Sequence, residues 1–370
     1  MFIIKNLMNK IKYPYIKIFQ SNANYIKSIN KSIVKKEMSF GKKCEVLENQ
    51  LKKFFKVKYV VLTTNGTSAL MMAALAMKIK ARDKIICNNA AWIAAINPFL
   101  ILKAKIYLVD TLKDSEKVNF FELNKLIKKT KPKLVILVHL NGQPNYDEEF
   151  EKLKIKYKFK VIEDAAQAFL AADKKKKKWG TKFEIGCFSL SITKPMHMIY
   201  GGCCVTNDKN IYDKLYAIRN NGMFAKDTFD HLSKTIGLNF KPSDIHASVG
   251  IENLKNSNKI KKKIIENHKV YKDRLRNKNL KFINLEGKNS VPNFAQIITK
   301  NRKKFMNFFK KNNLGVSKGL KCLSDNASLK YNSSMLKNSK NLSEMLVRLP
   351  FGAGYTQNEI KKICKILNKY

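Results

Sequence analysis

At 370 residues with 45% hydrophobic content, the chain has room for two domains, or for one large α/β domain with a smaller appendage, around a sizeable core. Its 73 Lys+Arg against 28 Asp+Glu give a formal charge of +45, which raises nucleic acid or an anionic membrane as partners. The lysines run along the whole chain instead of forming a stripe, and only six of the 73 cations are arginine, so a dedicated phosphate- and base-reading surface is set aside.

In chain order, the opening Met1–Phe19 has too short and interrupted an apolar stretch for a signal peptide. Tyr59–Thr63 reads as a strand, followed by the turn Asn65-Gly66-Thr67 and an apolar helix over Ser68–Ile79. Lys84–Cys87 is a short strand. Ala90–Leu102 reads as a buried helix and Lys105–Asp110 as a strand. Within them Ala90–Val109 is the nearest thing to a membrane span, but Asn97, Pro98, Lys103 and Lys105 interrupt it and no membrane segment is expected. Helix Asn119–Lys129, strand Leu134–Leu140, helix Asp147–Tyr157 and strand Val161–Asp164 come next. Strands Ile185–Ser191 and Gly202–Thr206 precede helix Asn210–Asn220.

Alternation at this spacing predicts a mostly parallel sheet flanked by helices, with ligands beyond the carboxyl ends of the strands. Past Gly237 the pattern changes. Pro242–Lys278 reads as a long charged helical stretch with an interruption near Asn256–Asn258. Short strands (Lys281–Asn284, Phe294–Thr299), a helix over Arg302–Lys311 and a last helix from Gln357 complete a smaller C-terminal α+β domain. The expected division is 1–250 and 251–370. The run Asp173–Lys178 reads as a solvated loop or hairpin tip. Seven cysteines with no CxxC spacing read as small buried core residues in a reducing compartment, with no metal site, which places the protein in the cytoplasm.

One lysine stands out from the rest by its position. Lys194 follows an apolar strand and lies thirty residues after Asp164, which ends another. A lysine and a carboxylate at the ends of neighbouring buried strands suit a pyridoxal phosphate enzyme. The amine forms a Schiff base with the cofactor aldehyde, and the carboxylate keeps the pyridine nitrogen protonated. Asn65-Gly66-Thr67-Ser68 between strand and helix offers backbone N–H groups to a phosphate, though Asn-Gly is equally an ordinary turn. Trp92 is placed to cover a ring face or to fill the core, and His139, ending a strand, reads first as structural.

Taken in order, the motifs carry a resemblance. They are Gly66-Thr67-Ser68, Trp92, His139-Leu140-Asn141-Gly142-Gln143-Pro144, Glu163-Asp164-Ala165-Ala166-Gln167-Ala168, Phe188 through Lys194, Gly201-Gly202, Gly237 through Gly250 and Leu349-Pro350. From about Ser39 to the last helix the chain resembles the DegT/StrS sugar aminotransferases, which have the PLP-dependent aminotransferase fold type I. The resemblance implies pyridoxal 5'-phosphate as cofactor. It implies Lys194 as Schiff-base lysine and proton shuttle, Asp164 on the pyridinium nitrogen and Gln167 near the ring hydroxyl. Gly66, Thr67 and Ser189 would hold the phosphate, joined by Asn239 from the other subunit of a homodimer with shared active sites, and Trp92 would stack on the ring. The implied reaction moves an amino group from glutamate to a nucleotide-linked keto sugar in two half-reactions.

Four residues at three places depart from the family's usual pattern. Ile199-Tyr200 stand before Gly201-Gly202 where Gly-Glu is usual, Leu170 stands where glycine is common, and Lys241 replaces a frequent arginine. All three are expected near the substrate side. Two rival readings are another pyridoxal phosphate chemistry on this fold, such as a sugar dehydratase or a non-catalytic relative, and a basic nucleic-acid-binding protein. Family dehydratases carry histidine in place of the lysine, so Lys194 speaks against that branch.

Overall fold

The computed structural model describes residues 11–19, 22–143, 145, 148–224, 233–285, 289–319, 322–329 and 336–370. The first ten residues, part of the stretch in which no signal peptide is expected, lie outside this set, as do Pro144 of the expected turn and Asp147 of the expected helix start.

Two helices that the sequence reading passed over come first, α1 (Asn22–Val34) and α2 (Lys42–Phe55). Lysines dilute their pattern, yet α2 buries Cys44, Leu47, Leu51 and Phe55, a single stripe at helical spacing. Strand β1 (Tyr59–Thr63) leads into α3 (Gly66–Ala76), whose small residues Ala69, Ala73, Ala74 and Ala76 are buried. Strands β2 (Lys84–Asn88), β3 (Lys105–Val109), β4 (Leu134–Val138), β5 (Lys160–Asp164), β6 (Ile185–Ser189) and β7 (Gly202–Thr206) follow. They form one seven-stranded sheet in the order β1-β7-β6-β5-β4-β2-β3. The pairs β2–β3, β2–β4, β4–β5 and β5–β6 are parallel, while β7 runs antiparallel between β1 and β6. All five residues of β4 are buried, as expected for a strand covered on both faces by helices. The expected α/β class and mostly parallel sheet are therefore observed.

Two expected boundaries shift, and a third break falls where expected. The helix expected over Ala90–Leu102 is a 3-10 turn (Ile93–Ala95) and a short α4 (Asn97–Ile101), because Pro98 can begin a helix but not continue one. The strand expected to reach Leu140 stops at Val138, and Leu140–Gly142 tighten into a 3-10 turn with Asn141 and Gly142 at positive φ. The long stretch after Pro242 breaks at Asn256 into α8 (Asp244–Lys255) and α9 (Ser257–Arg274), inside the expected window. Between these regions lie α5 (Phe120–Thr130), α6 (Glu148–Tyr157) and α7 (Lys209–Arg219).

A second sheet, antiparallel throughout, runs β10-β11-β9-β8 from β8 (Lys281–Phe282), β9 (Gln296–Ile298), β10 (Ser317–Lys318) and β11 (Leu346–Arg348). Around it lie α10 (Arg302–Lys311), α11 (Lys337–Met345) and α12 (Gln357–Leu367). Helix α12 packs on α9, buries Ile360, Ile363, Cys364 and Leu367, and begins with a capping box between Thr356 and Glu359. The amino-terminal segment runs alongside, with Tyr13 bridged to Leu314 and Ile16 to Phe351.

Ala172 bridges Lys178, so the lysine run is a hairpin tip with Lys174–Lys177 exposed. The seven cysteines are buried free thiols. Among the described residues, no helix is long and apolar enough to cross a membrane.

Candidate active site

The carboxyl ends of β4, β5 and β6 open into a cavity of about 430 Å³. Alternation along β5 sends Glu163 and Asp164 to opposite faces. Asp164 lines the cavity, and its Oδ1 accepts from the Ala166 N–H at 3.1 Å. Burial raises its pKa, with that N–H and the nearby Lys194 and His139 opposing the rise. A buried carboxylate so sparsely bonded has acceptor capacity for a cationic partner. Lys194 lines the same cavity, and enclosure of its amine brings the pKa down to about 8, with Asp164 pulling it up and Arg348 pushing it down. Its neutral form is thus accessible near neutrality, as a nucleophile or base requires.

The phosphate-binding expectation falls at the start of α3. Asn65 caps the helix by accepting the Ser68 N–H at 2.9 Å, and its carbonyl takes the Ala69 N–H. Among the described residues the N–H groups of Gly66 and Thr67 are left without a chain acceptor, at the positive end of a helix that lines the cavity. Close approach explains the glycines here. A Cβ on Gly66 would stand 2.9 Å from that of Ser189, and one on Gly202 would stand 2.5 Å from the Asn65 carbonyl carbon. Ser189 Oγ donates to Ser191 Oγ at 3.3 Å, and both line the cavity. Gln167 also lines it, with its Oε1 accepting the Asn141 N–H at 3.0 Å, which leaves its NH2 group as a donor.

Six of the expected cofactor residues beside Lys194 therefore meet in one cavity: Gly66, Thr67, Trp92, Asp164, Gln167 and Ser189. Trp92 is 62% exposed at its mouth. Asn239 is exposed and is not among the residues lining the cavity of its own chain, though the next residue, Phe240, accepts the Thr64 N–H through its carbonyl. Of the departures from the family pattern, Tyr200 lines the cavity and is 65% exposed. Ile199 before it sits at φ 67°, an outlying conformation for a β-branched residue. Leu170 was expected near the substrate but is buried in the core cluster with Phe55, Phe169 and Phe188, where a glycine would leave a void. Lys241 is half-buried.

Several residues that the sequence reading missed also line the cavity: Tyr15, Ser191, Thr193, Phe294 and Arg348. Arg348 carried the clearest signal, one of six arginines and adjacent to Leu349-Pro350. His139 is fully buried and lines the cavity. Its Nε2 meets Glu163 Oε1 at 3.0 Å, and Nδ1 has no partner among the described residues. The residues present fit pyridoxal phosphate by the chemistry of the donor set, a shielded amine, a buried carboxylate and open N–H groups at a helix start.

Comparison with known proteins places the fold and the family. A UDP-4-amino-4,6-dideoxy-N-acetyl-beta-L-altrosamine transaminase of Campylobacter jejuni subsp. jejuni serotype O:23/36 (strain 81-176) is 29% identical over 248 residues. That alignment spans 66% of this chain and 64% of the relative, so the match covers a little under two thirds of that relative's length. The fold is shared with Helicobacter pylori PseC, an aminotransferase involved in the biosynthesis of pseudoaminic acid, at TM-score 0.88 and 22% identity over 96% of this chain and 98% of that one. It is equally shared with E. coli GDP-4-keto-6-deoxy-D-mannose-3-dehydratase with bound hydrated pyridoxal phosphate, at TM-score 0.87 and 21% identity over 96% and 99%. Both neighbours have the fold-type I arrangement expected from the sequence. With its sequence profile matching residues 20–368, the DegT/DnrJ/EryC1/StrS aminotransferase family is the one to which the chain belongs.

Proposed function

We propose that the protein transfers an amino group from glutamate to the keto carbon of a nucleotide-linked sugar, with pyridoxal 5'-phosphate attached at Lys194. The observation that carries this reading is the meeting of Lys194 and Asp164 in one cavity with the open turn at Gly66-Thr67. A lysine at this position, not a histidine, favours amino transfer over the dehydratase branch that the fold also hosts. The relatives act on UDP-linked and GDP-linked sugars by their names, which supports the substrate class and leaves the nucleotide open.

When bound, pyridoxal phosphate supplies an electron sink for the negative charge left as the donor's α-proton departs. The chain's own groups do the rest. Lys194 Nζ takes that proton, which its lowered pKa allows. Asp164 holds a proton on the ring nitrogen. The N–H groups of Gly66 and Thr67, with Ser189, bind the phosphate, Gln167 donates towards the ring hydroxyl, and Trp92 covers the ring face. Asn239 completes the phosphate end from a second copy in a homodimer, a reading supported by its exposure outside its own cavity and by the exposed Trp92 and Tyr200 at the mouth. We place the enzyme in the cytoplasm, where seven thiols stay reduced. We divide the chain into 1–250 and 251–370 because all four strands of the second sheet lie after residue 280.

Borohydride reduction of the cofactor-loaded protein followed by peptide mapping tests the attachment. A pyridoxyl group on Lys194 is expected, and one on another lysine would overturn the assignment. L-glutamate alone should also bleach the bound cofactor's visible absorption, and an unchanged spectrum counts against amino transfer.

A further inference from the structure

Asn293, just before β9, is only 7% exposed, and neither Oδ1 nor Nδ2 of its side chain has a hydrogen-bond partner among the described residues. Its main chain, by contrast, is firmly held. The N–H groups of Asn293 and Phe294 both donate to Asn141 Oδ1, at 2.9 and 2.7 Å, and the Asn141 N–H donates to Gln167 at 3.0 Å. The open carboxamide is therefore fixed relative to the cofactor end of the site. An amide unbonded at both ends in the interior is costly, and an apolar residue of the same size avoids that cost. A buried asparagine in this state calls for a ligand.

The carboxamide lines a chamber of about 20 Å³ beside the main cavity. The two spaces share Ile16, Thr193 and Lys194, so the lysine borders both. Water is the ligand that fits, since it needs about 10–15 Å³ and two to four polar partners. Pro195, Ile264, Phe351 and Ala353 present apolar side chains to the chamber, and Pro195 has no N–H. The carbonyls of Lys17, Phe351 and Gly352 accept from Gly354, Lys17 and Asn267, and the Lys17 amine pairs with Glu359 at 2.8 Å. Thr193 Oγ1 lies 3.4 Å from Ser191 Oγ. Lys194 is then the lining side chain with most to offer, three N–H groups when charged and a lone pair when neutral.

One water suits both states. It closes a ring with a carboxamide by accepting from the N–H and donating to the C=O, and keeps one lone pair and one hydrogen. The lone pair accepts from an ammonium, and the hydrogen is given to a neutral amine. A water held by asparagine thus serves a lysine that gains and loses a proton, where a carboxylate favours the charged form alone.

We infer that Asn293 is a positioning residue, holding one ordered water in the side chamber against the Lys194 amine. Its bearing on amino transfer rests on the proposed function, and the test is run without cofactor so that the two fail separately. A crystal structure of the cofactor-free wild-type protein should show one water within hydrogen-bond distance of both Asn293 and Lys194. No water in the chamber, or one that does not reach Lys194, overturns the inference.

Trace acetylation mapped at Lys194 across pH reads the amine's titration in the same protein. An ammonium uses a hydrogen-bond acceptor more strongly than an amine does, so Asn293→Leu should lower the midpoint by about one pH unit. Asn293→Ser keeps a hydroxyl and leaves room for the water, and should recover most of that shift, with melting curves checking that both variants fold. Enclosure depresses the lysine's pKa, Asp164 pulls it up and Arg348 pushes it down. Tyr15, His139 and Tyr200 are the other titratable groups on the cavity wall, and Lys17 the other on the chamber's. Both variants leave all six in place. A midpoint unchanged in Asn293→Leu, or shifted equally in Asn293→Ser, overturns the inference. If the water and the shift are found while borohydride mapping puts the pyridoxyl group on another lysine, the positioning role stands and the attachment at Lys194 falls.

Discussion

Glu163 and Asp164 are consecutive residues of one strand, both buried and both acidic, and the fold uses them in opposite ways. Glu163 faces four donors: His139 Nε2 at 3.0 Å and the N–H groups of Gly180 at 2.9 Å, Lys182 at 2.8 Å and Phe183 at 3.0 Å. Burial pushes its pKa up, but these bonds outweigh it and hold the carboxyl below its ordinary value. Asp164 accepts from the Ala166 N–H alone among the described residues, and burial holds its pKa above the ordinary value. A saturated carboxylate organises the chain around it, whereas an unsaturated one is free to act on a ligand. One residue of register separates structure from chemistry.

The largest effect that sharpens this contrast comes from Asp164→Asn. The shape is kept and the charge removed, so glutamate half-reaction rates should fall about 10³-fold, within the range for losing a group that controls a proton in the transition state. Circular dichroism and the melting temperature should stay close to wild type. Full activity in this variant would break the contrast from the chemical side.

Glu163→Gln should do the reverse. An amide cannot accept all four donors, so stability falls by about 3 kcal/mol, read by denaturant unfolding, with a smaller loss of rate than in Asp164→Asn. The pH dependence follows with a definite sign. A carboxylate whose folded pKa is depressed stabilises the protein above its unfolded pKa and loses that contribution as pH falls through the folded value. The acid limb of the stability curve should therefore be shallower in Glu163→Gln than in wild type.

The smallest effect is a shift in a titration. Capture of pyridoxal phosphate by cofactor-free protein needs the neutral Lys194 amine, so its rate should rise with a midpoint near pH 8. Asp164 pulls the lysine's pKa upward, so the midpoint should move down in Asp164→Asn and stay in place in Glu163→Gln. Equal shifts in both variants would erase the distinction.

Much of this was legible in the chain. Strand edges were read to within a residue or two wherever apolar runs were bounded by turn residues, as in β1, β5 and β7, because covered strands need continuous apolar character. Lys194, Asp164 and the Gly66 turn could be singled out from their places at strand and helix ends, and Gln167 through the resemblance of its motif to the family. Arg348 and Tyr15 could not, since they come from opposite ends of the sequence and only the pairing of residues 13–16 with the second sheet's surroundings brings them together. Leu170 misled for a related reason. Its sequence neighbours belong to the site, but its own side chain points into the core. Helix α2 was missed although its stripe was present, because lysine dominates its other faces.

The antiparallel course of β7 has a consequence for how such a site can change over time. Ser189 pairs with Gly202, and Leu190 is tied to Gly201 at 2.8 Å, so the segment carrying Lys194 is a closed loop whose two ends meet. Within it, buried Met198 is tied back to Leu190 at 2.9 Å, and the His197 carbonyl accepts from Asn253 at 2.8 Å. The return limb is anchored up to Met198, and Ile199 and Tyr200 form the tip between that anchor and the clasp. Substitutions there can accumulate without dragging the lysine or the phosphate turn with them. On the proposed function, the positions that hold the cofactor and those that face new substrates lie in separate stretches of one short loop.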